Sequence, residues 1–108
     1  MVKELKLEQL EQVTKENELV FIDFFATWCA PCRAMSPVVD ELAEELEGKA
    51  AFFKVDVDDN MEFAEKFQVM SIPCFFVIKN GKVDSKTVGM TTKEVLKAKL
   101  GLWYMTLL

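Results

Sequence analysis

The stretch LVFIDFFATWCAPCRAMSPVVDELAEEL, residues 19–46, switches its hydrophobic period midway, and that switch decides the fold. Leu19–Phe25 is apolar at every position but Asp23, the pattern of a central strand covered on both faces. From Met35 the period turns helical. Met35, Val38, Val39, Leu42 and Leu46 form one apolar stripe, with Asp40, Glu41, Glu44, Glu45 and Glu47 on the solvated side. Gly48 is a natural stop for this helix. Pro37 lies inside it, removes one backbone hydrogen bond and predicts a kink. The sequence thus reads strand, tight junction, helix, with Trp28-Cys29-Ala30-Pro31-Cys32 at the junction.

Outward from this core the period keeps alternating. Leu7, Leu10 and Val13 predict a short surface helix ending near Asn17. Ala50–Val57 reads as a second central strand, and Asp59 with Glu62 resembles a capping box for a helix through about Phe67. Phe75–Ile78 and Lys82–Val88 flank Asn80-Gly81, which suits a primed two-residue turn, so they predict an antiparallel hairpin. Thr91 with Glu94 is expected to cap a last helix carrying Val95, Leu96 and Leu100. With a strand ahead of the first helix, the order βαβαβαββα is a mixed α/β sandwich with right-handed crossovers between its parallel strands.

The chain has 108 residues, room for one core and one domain spanning 1–108. It is 51% hydrophobic and 29% charged, which excludes disorder for the bulk. Thirteen Lys+Arg against 18 Asp+Glu give a formal net charge of −5, which opposes a phosphate backbone and argues against nucleic acid as a partner. No apolar run reaches the length of about 20 residues that spans a membrane, so a soluble protein without membrane association is expected. The charged N-terminal run MVKELKLEQLEQV has no apolar segment of the signal-peptide kind, which predicts a cytoplasmic location. Three cysteines are too few for a disulfide-stapled scaffold.

Cys29 stands where a helix begins, beside unpaired backbone N–H groups at the positive end of the dipole. Such a setting lowers a thiol pKa from about 8.5 into the range of roughly 3.5 to 7.5, which makes Cys29 the expected nucleophile. Cys32, one helical turn on, can attack a mixed disulfide formed at Cys29. Pro31 fits an early helix position and stiffens the segment between the sulfurs, and Trp28 offers an apolar lip to a docking partner. Paired thiols at this spacing also serve as metal ligands. Here no histidine is present and Cys74 is the one further cysteine, so a four-ligand site would need a carboxylate or a second chain, and no metal is expected. Asp23, six residues before Cys29 in an apolar strand, is expected to have a raised pKa and to act as the base for Cys32. The alternative is a carboxylate satisfied locally or paired with Lys54.

Together FIDFFATWCAPCRAMSPVVDELAEEL, FFKVDVDDN, SIPCFFVIKNGK and VGMTTKEVL resemble the thioredoxin family from about residue 3 to residue 100. The resemblance implies a single domain of the thioredoxin fold, a central five-stranded mixed sheet flanked by four helices. It implies general protein disulfide reduction by reversible oxidation of Cys29 and Cys32, with no bound cofactor and electrons arriving from NADPH through a thioredoxin reductase. The implied partners are that reductase and disulfide-containing target proteins. Asp23 then matches the family's buried acid, Lys54 its nearby lysine, Pro37 its helix proline, Pro73 its cis-proline and Gly89 a glycine of its docking surface. Ile72, Pro73, Gly89, Trp28, Ala30 and Pro31 become the expected substrate-binding residues, the Ile72 backbone pairing with an extended target segment.

Three positions and the C-terminal tail depart from the family pattern. Ala30 replaces the more frequent glycine and leaves the redox potential open, which keeps an isomerase or oxidant as an alternative to the reductant. Cys74 stands in place of threonine beside Pro73. Its expected role is packing as a small hydrophobe, with a regulatory thiol as the alternative. Phe25 fills a site often held by tryptophan and reads as core packing. In the tail, Leu96, Leu100, Trp103 and Leu107 fall near one helical face and predict extra packing of the last helix. The expected state is a monomer, with a weak dimer through this tail or Cys74 as the alternative. A binding subunit that docks a partner whatever its redox state is the non-enzymatic alternative.

Overall fold

A computed structural model describes residues 1–104. Its elements run β1 (Val2–Glu4), a 3-10 turn (Leu7–Gln9), α1 (Leu10–Glu16), β2 (Leu19–Phe25), α2 (Ala30–Glu45), β3 (Ala51–Asp56), α3 (Met61–Lys66), β4 (Cys74–Lys79), β5 (Lys82–Val88) and α4 (Lys93–Lys99). The five strands form one sheet in the order β1-β3-β2-β4-β5, with β1, β3 and β2 parallel and β4 and β5 antiparallel. This is the α/β thioredoxin fold, a mixed five-stranded sheet with four helices.

Strand alternation sorts β2 between two cores. Phe21 faces α2 and α4 with Met35, Val39, Leu42, Leu96 and Leu100. Val20, Ile22 and Phe24 face α1 and α3, where Phe24 meets Phe63 and Phe76 edge-on at 5.3 and 5.5 Å. Asp23 shares the parity of Phe21, so its side chain points toward α2. Lys54 pairs in register with Asp23 across the parallel β2–β3 ladder and faces the same way.

The Asn80-Gly81 turn has φ of 51° and 80°, the positive pair a primed turn requires. Three expectations need correction. Helix α3 takes Asn60 rather than Asp59 as its N-cap, with no capping side-chain bond; the Asn60 amide instead donates to the Asp56 carbonyl at 2.9 Å. Helix α4 starts one residue later than the Thr91–Glu94 reading, capped by Thr92, whose Oγ accepts the Val95 N–H at 3.2 Å. That start leaves Val95 exposed and turns Lys97 inward, where its ammonium meets Glu45 at 2.8 Å while Lys93 reaches the same carboxylate at 2.6 Å. The two lysines together pull the Glu45 pKa down. The third concerns the tail. Gly101, at φ 76°, ends the helical run, so Trp103 is exposed rather than packed; Leu107 lies outside the described residues. Pro37 sits within α2, where its ring cannot donate to the Arg33 carbonyl.

Replacing Thr92 by alanine removes the α4 cap and is expected to lower stability by about 1 kcal/mol, a fall in Tm of several degrees in a thermal melt. An unchanged Tm would show that water caps the helix equally well.

Candidate functional site

The site sits at the carboxyl ends of β2 and β3, where both parallel strands release their loops. Ala26, Cys29 and Cys32 form a small buried cluster, flanked by Phe25, Val57 and Ile72. Cys29 is the N-cap of α2 in extended conformation, and its Sγ accepts the Cys32 backbone N–H at 3.2 Å. This sulfur therefore takes up one of the unpaired donors at the helix start, the arrangement that favours a thiolate. Pro31 lies in the first turn, where an N–H has no helical partner to lose. Cys29 and Cys32 are joined as a disulfide with Cα atoms 5.2 Å apart. They are only 5% and 6% exposed, so an attacking group reaches them from one side.

That side is framed by the Ile72–Pro73 loop, by Gly89 beside it and by the exposed Trp28. The peptide bond between Ile72 and Pro73 is cis, and the Ile72 carbonyl lies 3.9 Å from Cys29 Sγ. Gly89, at φ 88°, donates its N–H to the Pro73 carbonyl at 2.8 Å and holds the two loops together. Trp28 is 66% exposed, and its indole N–H donates to Asp58 at 2.8 Å.

Behind the disulfide, Asp23 is buried and its pKa is raised to about 7. Burial is the main cause; the Lys54 charge opposes it and Asp40 adds to it. One carboxylate oxygen, Oδ1, has no hydrogen-bond partner, which suits a group that exchanges protons. Asp23, Cys32 and Lys54 line a cleft of about 230 Å³ with Phe25, Ala26, Thr27, Arg33 and Ser36. The cleft thus opens Asp23 and Cys32 to one common space.

Sequence reasoning did not single out Asp58, Arg33 or Ser36. Arg33 follows Cys29, and Ser36 follows Cys32, by four residues at α2, so the helical period was the available signal. Asp58 lies just past the end of β3 and offered no local signal. Cys74, in contrast, is fully buried in the opposite layer, with Phe24, Phe63 and Phe76. Burial pushes its thiol pKa up. This burial supports packing as a small hydrophobe over the regulatory-thiol alternative, since the side chain lies in the layer opposite the dithiol.

Comparison with known proteins gives one answer. The thioredoxin family profile matches residues 2–101. A thioredoxin of Staphylococcus aureus is 48% identical over 81 residues, which cover 75% of this chain and 78% of the relative. A mutant thioredoxin from Halobacterium salinarum superposes with a TM-score of 0.85 at 32% identity, covering 94% of this chain and 88% of its own. A Plasmodium falciparum thioredoxin gives 0.83 at 34% identity, covering 94% and 97%.

Proposed function

The chain belongs to the thioredoxin family as a disulfide oxidoreductase with Cys29 and Cys32 as its redox pair, and from that premise we propose that it is a general reductant of protein disulfides in a reducing cytoplasm. The observation that carries this reading is Cys29 Sγ, placed at the N-cap of α2 and 3.9 Å from the Ile72 carbonyl beside a cis-proline. An extended target segment lies along Ile72 and pairs with its backbone, while Trp28, Ala30, Pro31, Pro73 and Gly89 supply the surrounding contacts. Main-chain pairing makes little demand on target sequence, which suits a broad substrate range.

The Cys29 thiolate attacks one sulfur of the target disulfide and displaces the other as a thiolate, forming a mixed disulfide. The Asp23 carboxylate, which the Lys54 charge favours, accepts the Cys32 proton across the shared cleft, becomes a neutral carboxyl and leaves Cys32 as a thiolate. The Cys32 thiolate then attacks Cys29 Sγ, closes the Cys29–Cys32 disulfide and releases the second target thiolate. Two electrons have passed to the target. They are replaced from NADPH through a thioredoxin reductase, and the chain itself holds no cofactor.

The test is insulin reduction driven by NADPH and thioredoxin reductase. One NADPH should be consumed per disulfide cleaved. A protein inactive with both the reductase and dithiothreitol would falsify the reductant reading, and activity with dithiothreitol alone would remove the reductase as electron source.

A further inference from the structure

Three methionines stand unusually exposed at the dithiol end of the molecule: Met61 at 73%, Met70 at 91% and Met90 at 63%. Two of them flank the cis-proline loop in the chain or through Gly89, and the third shares a surface with one of these. Met70 precedes Ile72 by two residues, and Met90 directly follows Gly89, whose N–H bonds to the Pro73 carbonyl. Met61 opens α3 and lines one concave surface together with Met70 and Val57. Val57 in turn packs on the Cys29–Cys32 cluster. The other described methionines differ, Met35 being buried in the core and Met1 lying ahead of β1 at the far end of the parallel strands.

Flexible thioethers are the side chains best suited to meeting apolar partners of varied shape, because they repack at little cost. They are also open to oxidation, which turns an apolar group into a polar one. We propose that Met61, Met70 and Met90 form an oxidisable docking rim, a modification site at which peroxide-class oxidants weaken the binding of protein targets. The proposal rests on the reductant reading above and adds to it a control by oxidant. In each event the thioether sulfur attacks one oxygen of hydrogen peroxide, the O–O bond breaks and an S–O bond forms. The sulfur loses two electrons, the hydroxide released takes the proton of the transferred hydroxyl, and water leaves. The Cys29–Cys32 disulfide is already oxidised and the Cys74 thiol is buried, so treatment of the oxidised protein directs the reagent to the thioethers.

The experiment treats the oxidised protein with hydrogen peroxide, maps sulfoxides by peptide mass spectrometry, and then measures dithiothreitol-driven reduction of insulin and of hydroxyethyl disulfide. Sulfoxide should appear at positions 61, 70 and 90 and not at Met35. The KM for insulin should rise about tenfold, the effect of burying one poorly partnered polar group in the docked complex. Reduction of the small disulfide, which does not cover the rim, should keep its rate. In a variant carrying Met61→Leu, Met70→Leu and Met90→Leu, the KM should be the same before and after peroxide, although Met1 can still be oxidised. An unchanged KM in the modified wild type, an equal rise in the triple variant, or absence of sulfoxide at the three positions overturns the proposal. Untreated protein that fails to reduce insulin overturns the reductant reading with it, whereas active protein indifferent to oxidation overturns the rim alone.

Discussion

Cys29→Ser is expected to abolish insulin reduction down to the uncatalysed background, while Cys32→Ser retains the first chemical step and loses turnover. The difference follows from where the two sulfurs stand. Cys29 Sγ accepts the Cys32 N–H at the N-terminus of α2, so negative charge on it is stabilised by the unpaired donors there. A serine hydroxyl in that place remains protonated at neutral pH and is a poor nucleophile toward sulfur. Cys32 lies deeper along the helix, its Cα 5.2 Å from that of Cys29, within bonding reach of the Cys29 sulfur. Without it the mixed disulfide has no internal attacker and accumulates. Mass spectrometry of the Cys32→Ser protein mixed with insulin should show a covalent adduct, lost on adding dithiothreitol, and Cys29→Ser should show none.

Cys74→Ser separates chemistry from packing. Its side chain is fully buried in the layer opposite the dithiol, so turnover should persist while stability falls by about 1–3 kcal/mol from burying a hydroxyl among phenylalanines. Residual turnover in Cys29→Ser that disappears when Cys74 is also replaced would contradict this assignment. If a Cys29→Ser, Cys32→Ser double variant kept its effect on a partner enzyme, the protein would act by docking and not by electron transfer.

The readable parts of the molecule are those fixed by local pattern. Strand β2 begins and ends where a run apolar on both faces predicts, and Asn80-Gly81 specifies its turn because few residue pairs tolerate two positive φ angles. The dithiol is equally local, since one helical turn brings Cys32 to Cys29. What escapes local reading depends on partners distant in the chain. Lys97 is buried because Glu45 on α2 waits for it, and no property of α4 alone predicts that. Cys74 adjoins Pro73 in sequence yet points to the opposite layer, because the pleat of β4 sends it toward Phe24 and its neighbours while Phe75 turns toward α2. Asp58 reaches Trp28 only because β2 and β3 run parallel and deliver their loops to one edge. Asp23 falls between these cases: its oddity in an apolar strand is local, but its pairing register with Lys54 is set by the sheet.

Asp23→Asn is expected to raise stability and slow catalysis in the same protein, with both effects following one pKa. In the folded state the carboxyl holds its proton to about pH 7, against an ordinary value of 3.8, chiefly because burial penalises the anion. Between these values the unfolded chain has released the proton and the folded chain has not, so stability falls as pH rises through this window and is lowest above it. The pKa gap corresponds to about 4 kcal/mol. Denaturant titrations of the oxidised wild type should therefore show stability declining from pH 4 to pH 7, and in Asp23→Asn this contribution to the slope should vanish. Above pH 7 the variant should be more stable by up to about 4 kcal/mol, less what the buried amide loses by desolvation. Catalysis moves the other way. Asparagine cannot accept the Cys32 proton, so resolution of the mixed disulfide should slow by up to about a hundredfold, and the inflection near pH 7 in the wild-type rate profile should disappear. The first attack by Cys29 should be less affected, so mixed disulfide should build up in Asp23→Asn as it does, more fully, in Cys32→Ser. A variant that resolves at the wild-type rate with the same inflection would move the proton-transfer role from Asp23 to solvent in the cleft, leaving the stability gain as the sole consequence of its burial.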